Sequence, residues 1–496
     1  MRTSLVPLAI AGALLAATAI TPALAQARTD VNVGLVLEPP NLDPTAGAAA
    51  AIDEVVYANI FEGLTRFAPD GSVVPGLAES WDISEDGLTY TFHLREGVTF
   101  HDGSTFDAED VKFSFDRARA EDSVNAQKAL FADIESVEVV DPQTVELTLS
   151  KPNGNMLFNL AWGDAVIVAP ESAENNATNP IGTGPFTFVD WAQGDRVEIA
   201  RNDNYWGEPV ALESATFRFI ADPTAAFAAM QAGDVDAFPN FPAPETVVQF
   251  EGDPRFEVVI GSTEGETILA MNNAKPPLDD IRVRQAIAHA IDRQAVIDGA
   301  MFGYGTPIGT HFAPHHPDYL DLTEQSAHDP ERARELLAEA GHEELTLSLK
   351  LPPVEGYARR GGEIISQQLA AVGITTETTN LEWPQWLEEV FTGRNFDLTI
   401  ISHTEPLDIG IYARDDYYFQ YLDEDFRAIM TELGNETDPA KRSELFKQAQ
   451  QKIADDYVNG FLFQLPKVGV WNADLEGMWE NAPTQATDLT GVSWAE

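Results

Sequence analysis

Leu88, Tyr90, Phe92 and Leu94 alternate with Thr89, Thr91, His93 and Arg95, a period of two that predicts a strand with one buried face. Residues 136–140 and 145–149 carry the same kind of apolar run on either side of Asp141-Pro142-Gln143-Thr144, and that break predicts a hairpin. Between them Val111, Phe115 and Ala118 recur at i, i+4 and i+7, the spacing of one helix face. Asp107 and Asp110 stand where the unpaired N–H groups of that helix favour an anion. The first half of the chain therefore reads mainly as strands with short helices.

The second half alternates helix and strand. Asp222-Pro223, Asp329-Pro330 and Asp438-Pro439 each open an apolar-periodic stretch, with Asp as the cap and Pro at the first helical position. Gly233 and Gly341 close the first two, in the place where a left-handed residue ends a helix. A helix over 331–340 leads into a strand over 345–351. A second helix over 362–372 stops at Gly373 and leads into a strand over 374–378, and 396–402 is a further short, β-branched strand. This βα alternation predicts a sheet with helices on its faces. No repeat and no low-complexity linker interrupts it, so any lobes are joined by ordinary crossings of the chain.

The start of the chain has a different pattern. Arg2 precedes an apolar run from Leu8 to Ile20, and Ala23-Leu24-Ala25 is a small-x-small site. These features predict an export signal removed after Ala25, leaving Gln26 as the first mature residue. The run is too short to span a bilayer comfortably, which takes about 20 residues. The chain has no cysteine, which excludes disulfides and gives no lipid attachment site, so free diffusion in a periplasm is expected. Its 496 residues allow two or three domains with their own cores.

The formal charge is −50, from 80 acidic and 30 basic residues. Such a surface repels phosphate backbones and anionic lipid, so nucleic-acid and membrane-surface binding are excluded as main functions. The acids are spread through amphipathic segments, which argues for a folded, salt-adapted surface over a disordered tail.

Several blocks together resemble the family 5 extracellular solute-binding proteins, the dipeptide- and oligopeptide-binding group of ABC importers. They are Asn41-Leu42-Asp43-Pro44, Ile60-Phe61-Glu62-Gly63-Leu64 and the run PGLAESWDISEDGLTYTFHLREGVTFHDGSTFDAEDVKFSF over 75–115. Gly182-Thr183-Gly184-Pro185-Phe186, Asn204-Tyr205-Trp206-Gly207, Gln231-Ala232-Gly233-Asp234-Val235-Asp236 and MNNAKPPLDDIRVRQAIAHAIDR over 271–293 follow. The resemblance implies an α/β, bilobed periplasmic-binding-protein fold of type II, in the large three-part variety. It divides the chain into a discontinuous lobe I (26–49, 175–265 and 468–496), an extra β-rich subdomain over 50–174, and lobe II over 266–467. Two crossings then act as a hinge, with ligand bound between lobes that close on it. It also implies a monomer that hands its ligand to permease subunits in the inner membrane. His101-Asp102-Gly103 reads as a turn, and Trp81, Trp206 and Phe186 as packing residues.

The resemblance points to binding residues in lobe II. A peptide is a zwitterion, and enclosing it requires an opposite charge at each end. Relatives that bind dipeptides place an Arg at the start of the 362–372 helix, where this chain has Arg359 and Arg360. Either offers a fork for the ligand carboxylate; the alternative is a pair of solvated surface arginines. Relatives place a Trp and then an amine-binding Asp in the loop after the 396–402 strand. Here the loop is Ser402-His403-Thr404-Glu405-Pro406-Leu407-Asp408, with His403 at the Trp position and Glu405 or Asp408 as the candidate acid. Trp383, Trp386, Tyr417 and Tyr418 are candidates for side-chain pockets, or for core. The departure in the loop leaves opine-like conjugates, oligosaccharides and nickel chelates as alternatives to a short peptide.

No cofactor is expected. His311, His315 and His316 are weak metal candidates, and Pro314 and Pro317 predict a surface loop in place of an aligning helix. No phosphate-binding loop, HExxH helix, GxSxG elbow or cysteine nucleophile is present, so an enzyme is not expected and a secreted hydrolase is the different-class alternative.

Overall fold

The computed structural model describes residues 28–47 and 49–495. The export signal and the cleavage site after Ala25 lie outside the described residues. Among the described residues, no helix is long and apolar enough to cross a membrane.

β1 (Asp30–Leu35) enters first, and β2 (Thr65–Phe67) pairs with β3 (Val73–Pro75) in a short hairpin. β4 (Ala78–Ile83), β5 (Thr89–Leu94), β6 (Ile134–Asp141) and β7 (Thr144–Leu149) form an antiparallel sheet in the order β4-β5-β7-β6. Tyr90, Phe92 and Leu94 are buried as the alternation requires. The 12-residue helix Ala108–Arg119 packs Val111, Phe115 and Ala118 against this sheet. Its start is a capping box: Asp107 accepts from the Glu109 N–H, and Asp110 accepts from the Asp107 N–H at 2.9 Å.

The large sheet takes β8 (Phe186–Ala192), β9 (Arg196–Arg201), β10 (Ser214–Phe219), β11 (Ala237–Phe238) and β12 (Phe256–Met271) from the middle of the chain. β13 (Thr306–Pro307), β14 (Leu345–Leu351), β15 (Ile374–Asn380), β16 (Leu398–His403) and β17 (Asn459–Asn472) complete it, while β18 (Leu475–Glu476) and β19 (Ser493–Trp494) pair separately. Its order is β15-β14-β16-β12-β17-β11-β1-β10-β9-β8, with β13 added on β17. β14 and β15 run parallel at one end, and β1 and β10 run parallel further along, whereas β10, β9 and β8 close the other end as an antiparallel meander.

β12 and β17 are the two longest strands and pair antiparallel through the centre. Their register holds from Phe256↔Asn472 to Ser262↔Pro466, breaks, and resumes at Glu266↔Gln464. Thr263, Glu264 and Gly265 bulge there, an irregularity that bends a strand and re-aims its side chains. A Cβ on Gly265 would sit 2.8–3.0 Å from Leu465, so the turn of backbone needs glycine. The buried cores fall on either side of this bulge. One is built from β14, β16 and the helices Ile281–Ala290, Pro330–Ala340 and Gly361–Ala370, another from Val31, Val33, Phe186 and Phe217 with Trp471 and Leu489.

The helix punctuation reads as the sequence predicts. Asp222, Asp329 and Asp438 each cap their helix, accepting from the N–H of Ala225, Arg332 and Lys441 at 2.8–3.0 Å. Gly233 and Gly341 end theirs at φ 75° and 81°. The predicted helix over 362–372 differs at its start: a π-turn, Glu355–Arg360, leads into Gly361–Ala370. There the Arg359 N–H reaches back five residues to the Val354 carbonyl at 2.9 Å, a spacing for which composition carries no signal. The predicted strand over 396–402 also moves, to Leu398–His403.

Three of the short sequence blocks meet at one buried residue. Glu62 accepts from Thr183 Oγ1, Tyr205 Oη and Trp206 Nε1 at 2.8–2.9 Å. Burial raises its carboxyl pKa, and these three donors oppose the rise. His101 is a latch of the same kind, with its ring nitrogens on the Gly184 carbonyl at 3.0 Å and the Gly182 N–H at 3.3 Å, and Gly103 turns at φ 88°.

Candidate functional site

A cavity of about 530 Å³ lies between the β2–β7 region and the far side of the bulge. Trp81, Tyr90 and Phe158 line one face; His316, Leu407 and Phe446 line the other. Its size and apolar walls suit a small organic ligand. At its rim the faces touch: the Gly154 N–H donates to the Gly434 carbonyl at 2.8 Å, and Arg442 Nη2 donates to Asn155 Oδ1 at 2.5 Å. The β2–β3 turn brings Gly71 (φ 79°) against the His315 and His316 rings.

Behind Leu407 is a buried polar cluster. β16 delivers His403, Leu407 turns back with a left-handed φ of 55°, and Asp408 opens a short helical turn, Asp408–Ala413. A non-glycine residue in that conformation is held there by its surroundings. Asp408 Oδ1 lies 2.7 Å from His311 Nε2, and Oδ2 lies 3.5 Å from His403 Nδ1. Tyr412 Oη contacts His311 Nδ1 and accepts from Asn459 Nδ2, both at 3.1 Å; Tyr418 Oη lies 3.1 Å from His403 Nε2. Burial would raise the Asp408 carboxyl, but His311 and His403 hold it well below the usual range. Burial pushes His311 down, with Asp408 opposing. An ionised carboxylate accepting from a neutral imidazole satisfies both.

The β12 bulge adds two carboxylates. Glu264 Oε1 meets His315 Nε2 at 2.7 Å, while His315 Nδ1 meets Ser262 Oγ at 2.6 Å. Glu266 is fully buried, and its Oε2 has no hydrogen-bond partner among the described residues. Burial, then the Asp408 and Glu264 charges, push its carboxyl far up. Sequence reading missed Glu264, Glu266 and Tyr412. The usable signal was two glutamates in Glu264-Gly265-Glu266, directly before the apolar run of a central strand.

The histidine run differs from expectation. It is no surface loop: His311 is 1% exposed and Phe312 packs on Phe446 at 5.4 Å. Pairing of β13 with β17 and the helix Pro439–Asp455 hold the segment inside. Nor do the three histidines converge, since His311 turns to Asp408, His315 to Glu264 and His316 to Phe312 and Phe446. Trp386, Tyr417 and Tyr418 join one buried aromatic cluster with Phe391 and Phe396, and Trp386 Nε1 donates to Thr399 Oγ1 at 3.0 Å. Trp383 stays 41% exposed at its edge.

The two arginines sit on the π-turn and make no hydrogen bond to the Asp408 cluster among the described residues. Arg359 reaches Glu382 at 3.5 Å, whereas Arg360 stacks 4.7 Å over Phe302 and forms no ion pair among the described residues. Both have an Nε without a hydrogen-bond partner among the described residues. Glu405 is exposed and accepts from the neighbouring Thr404 N–H at 3.2 Å.

Residues 72–422 match the family model for bacterial extracellular solute-binding proteins, family 5 (middle). A glutathione-binding protein of Pectobacterium atrosepticum is 34% identical over 389 residues, 77% of this chain and 74% of that protein. A dipeptide-binding protein of Escherichia coli is 30% identical over 435 residues, 77% of this chain and 79% of that protein. The solved structure of HbpA2 from Haemophilus parasuis superposes with a TM-score of 0.87 at 26% identity, covering 94% of this chain and all of that one.

Proposed function

The chain belongs to family 5 of the bacterial extracellular solute-binding proteins, the substrate-binding components of ABC importers, and we propose that its cargo is a short peptide or peptide-like solute. The cavity of about 530 Å³ between two facing surfaces supports a ligand of this size, and Arg359, Arg360 and Glu405 are not among the residues that line it. The glutathione- and dipeptide-binding relatives point to the same ligand class. The protein works in a periplasm after removal of the leader at Ala25, as a monomer without catalytic activity of its own, and passes cargo to membrane permease subunits. Lobe I (26–49, 175–265, 468–496), with the subdomain over 50–174, closes on lobe II (266–467). The hinge is the β12–β17 bulge, and ligand contacts to both faces favour the closed form.

The ligand carboxylate is assigned to Arg360 or Arg359, whose Nε atoms have no partner among the described residues, because a guanidinium fork matches two oxygens. The ammonium is assigned to Glu405. Asp408 is already held by two imidazoles, so it is not available to a ligand amine without losing them. Isothermal titration of the mature protein with di- and tripeptides and glutathione tests the assignment. Arg360→Ala, or Arg359→Ala, and Glu405→Ala should each weaken binding by about 2–5 kcal/mol. Peptide affinity untouched in all three variants overturns it.

A further inference from the structure

We propose that His311, His403 and Asp408 form a binding site for one divalent transition-metal ion. Their donor atoms lie within 4.8 Å of one another in the buried cluster behind the cavity. Two imidazole nitrogens and a carboxylate oxygen are the donor set that borderline ions such as zinc, cobalt or nickel take. Bonds of about 2.0–2.1 Å in a tetrahedron place neighbouring donors roughly 3.3 Å apart. The observed 2.7 Å (His311 Nε2 to Asp408 Oδ1) and 3.5 Å (His403 Nδ1 to Asp408 Oδ2) bracket that spacing.

The arrangement around the donors points the same way. Each imidazole is anchored at its far nitrogen by a tyrosine hydroxyl, His311 Nδ1 by Tyr412 and His403 Nε2 by Tyr418, both at 3.1 Å. This leaves His311 Nε2 and His403 Nδ1 turned to the same carboxylate. Outer hydrogen bonds of this kind fix ring orientation and tautomer at metal sites. Asn459 Nδ2 donates to Tyr412 Oη, so the anchor is itself held. The Tyr417 hydroxyl, 3.4 Å from His403 Nδ1, yields that nitrogen on binding. The His311 proton moves from Nε2 to Nδ1, where Tyr412 Oη accepts it, so no net proton leaves that ring. His315 is not a ligand, because Glu264 and Ser262 occupy both its nitrogens.

The mature protein, stripped with chelator, is titrated with Co²⁺ alone. One equivalent should bind with the visible bands of four-coordinate cobalt, and Zn²⁺ should abolish them. His403→Gln should weaken binding about 100-fold, and Tyr412→Phe about 10-fold. Absence of the bands, or an unchanged affinity in folded His403→Gln, overturns the proposal. Should that variant fail to fold, proton NMR of the cobalt-loaded wild type decides. Two shifted, exchangeable imidazole N–H signals support the site, and none overturns it. Peptide titration of the stripped protein is a separate measurement, so the cargo and the metal stand or fall independently.

Discussion

Glu54 carries a carboxyl that burial pushes up to about 7 from an ordinary value near 4.5. Asp53 beside it is also raised, by burial and then by the Asp164 and Glu54 charges. A raised acid pKa means the folded state keeps its proton longer than the unfolded chain. The stability Glu54 contributes is therefore complete below about pH 4.5, is lost as pH rises to about 7, and stays lost above that. Glu54→Gln removes this titration. It should raise the melting temperature by about 1–3 °C at pH 8 and leave it unchanged at pH 4, as scanning calorimetry at the two pH values would read. An equal gain at both would mean that packing, not charge, sets the effect. The same separation of charge from packing applies at Asp408, where two imidazoles reverse what burial alone would do.

Among the elements, the 17-residue helix Pro439–Asp455 connects sequence signal to site. Asp438 caps it through the Lys441 N–H at 3.0 Å, and its Phe446 lines the cavity. Asp438→Ala leaves the first-turn N–H groups without that acceptor and should cost about 1 kcal/mol. A fall in the urea midpoint with an unchanged slope checks this; no fall means water serves the N–H groups as well. Capped helices such as this were legible because Asp-Pro and Gly act within a few residues. The π-turn at Glu355–Arg360 was not legible, and it decides where Arg359 and Arg360 lie.

Across the whole molecule, the contact between Gly154 and Gly434 is the sharpest constraint on the proposed closure. A Cβ on Gly154 would overlap the Arg442 guanidinium and the Glu436 carbonyl, and sit 2.9 Å from the Leu433 carbonyl. Gly154→Ala should leave the fold intact and oppose the closed form. Affinity should fall about tenfold for each 1.4 kcal/mol of closing free energy lost, and small-angle scattering should show no compaction with ligand. A variant that binds and compacts like wild type would place closure elsewhere.

Local patterns in the sequence determined the strands, the capped helices and the family, because period, caps and turns depend on near neighbours. Blocks such as Ile60–Leu64, 182–186 and 204–207 carried the family resemblance only together with the long block over 75–115, and only folding showed that they meet at Glu62. The site divides in the same way. Arg359, Arg360, His403, Glu405 and Asp408 were candidates from the sequence, but His311 and Glu266 reach the Asp408 cluster through β13, β12 and β17. Pairings across more than 100 residues carry no local signal. The tertiary structure alone therefore decided that His311, not His315 or His316, would face Asp408.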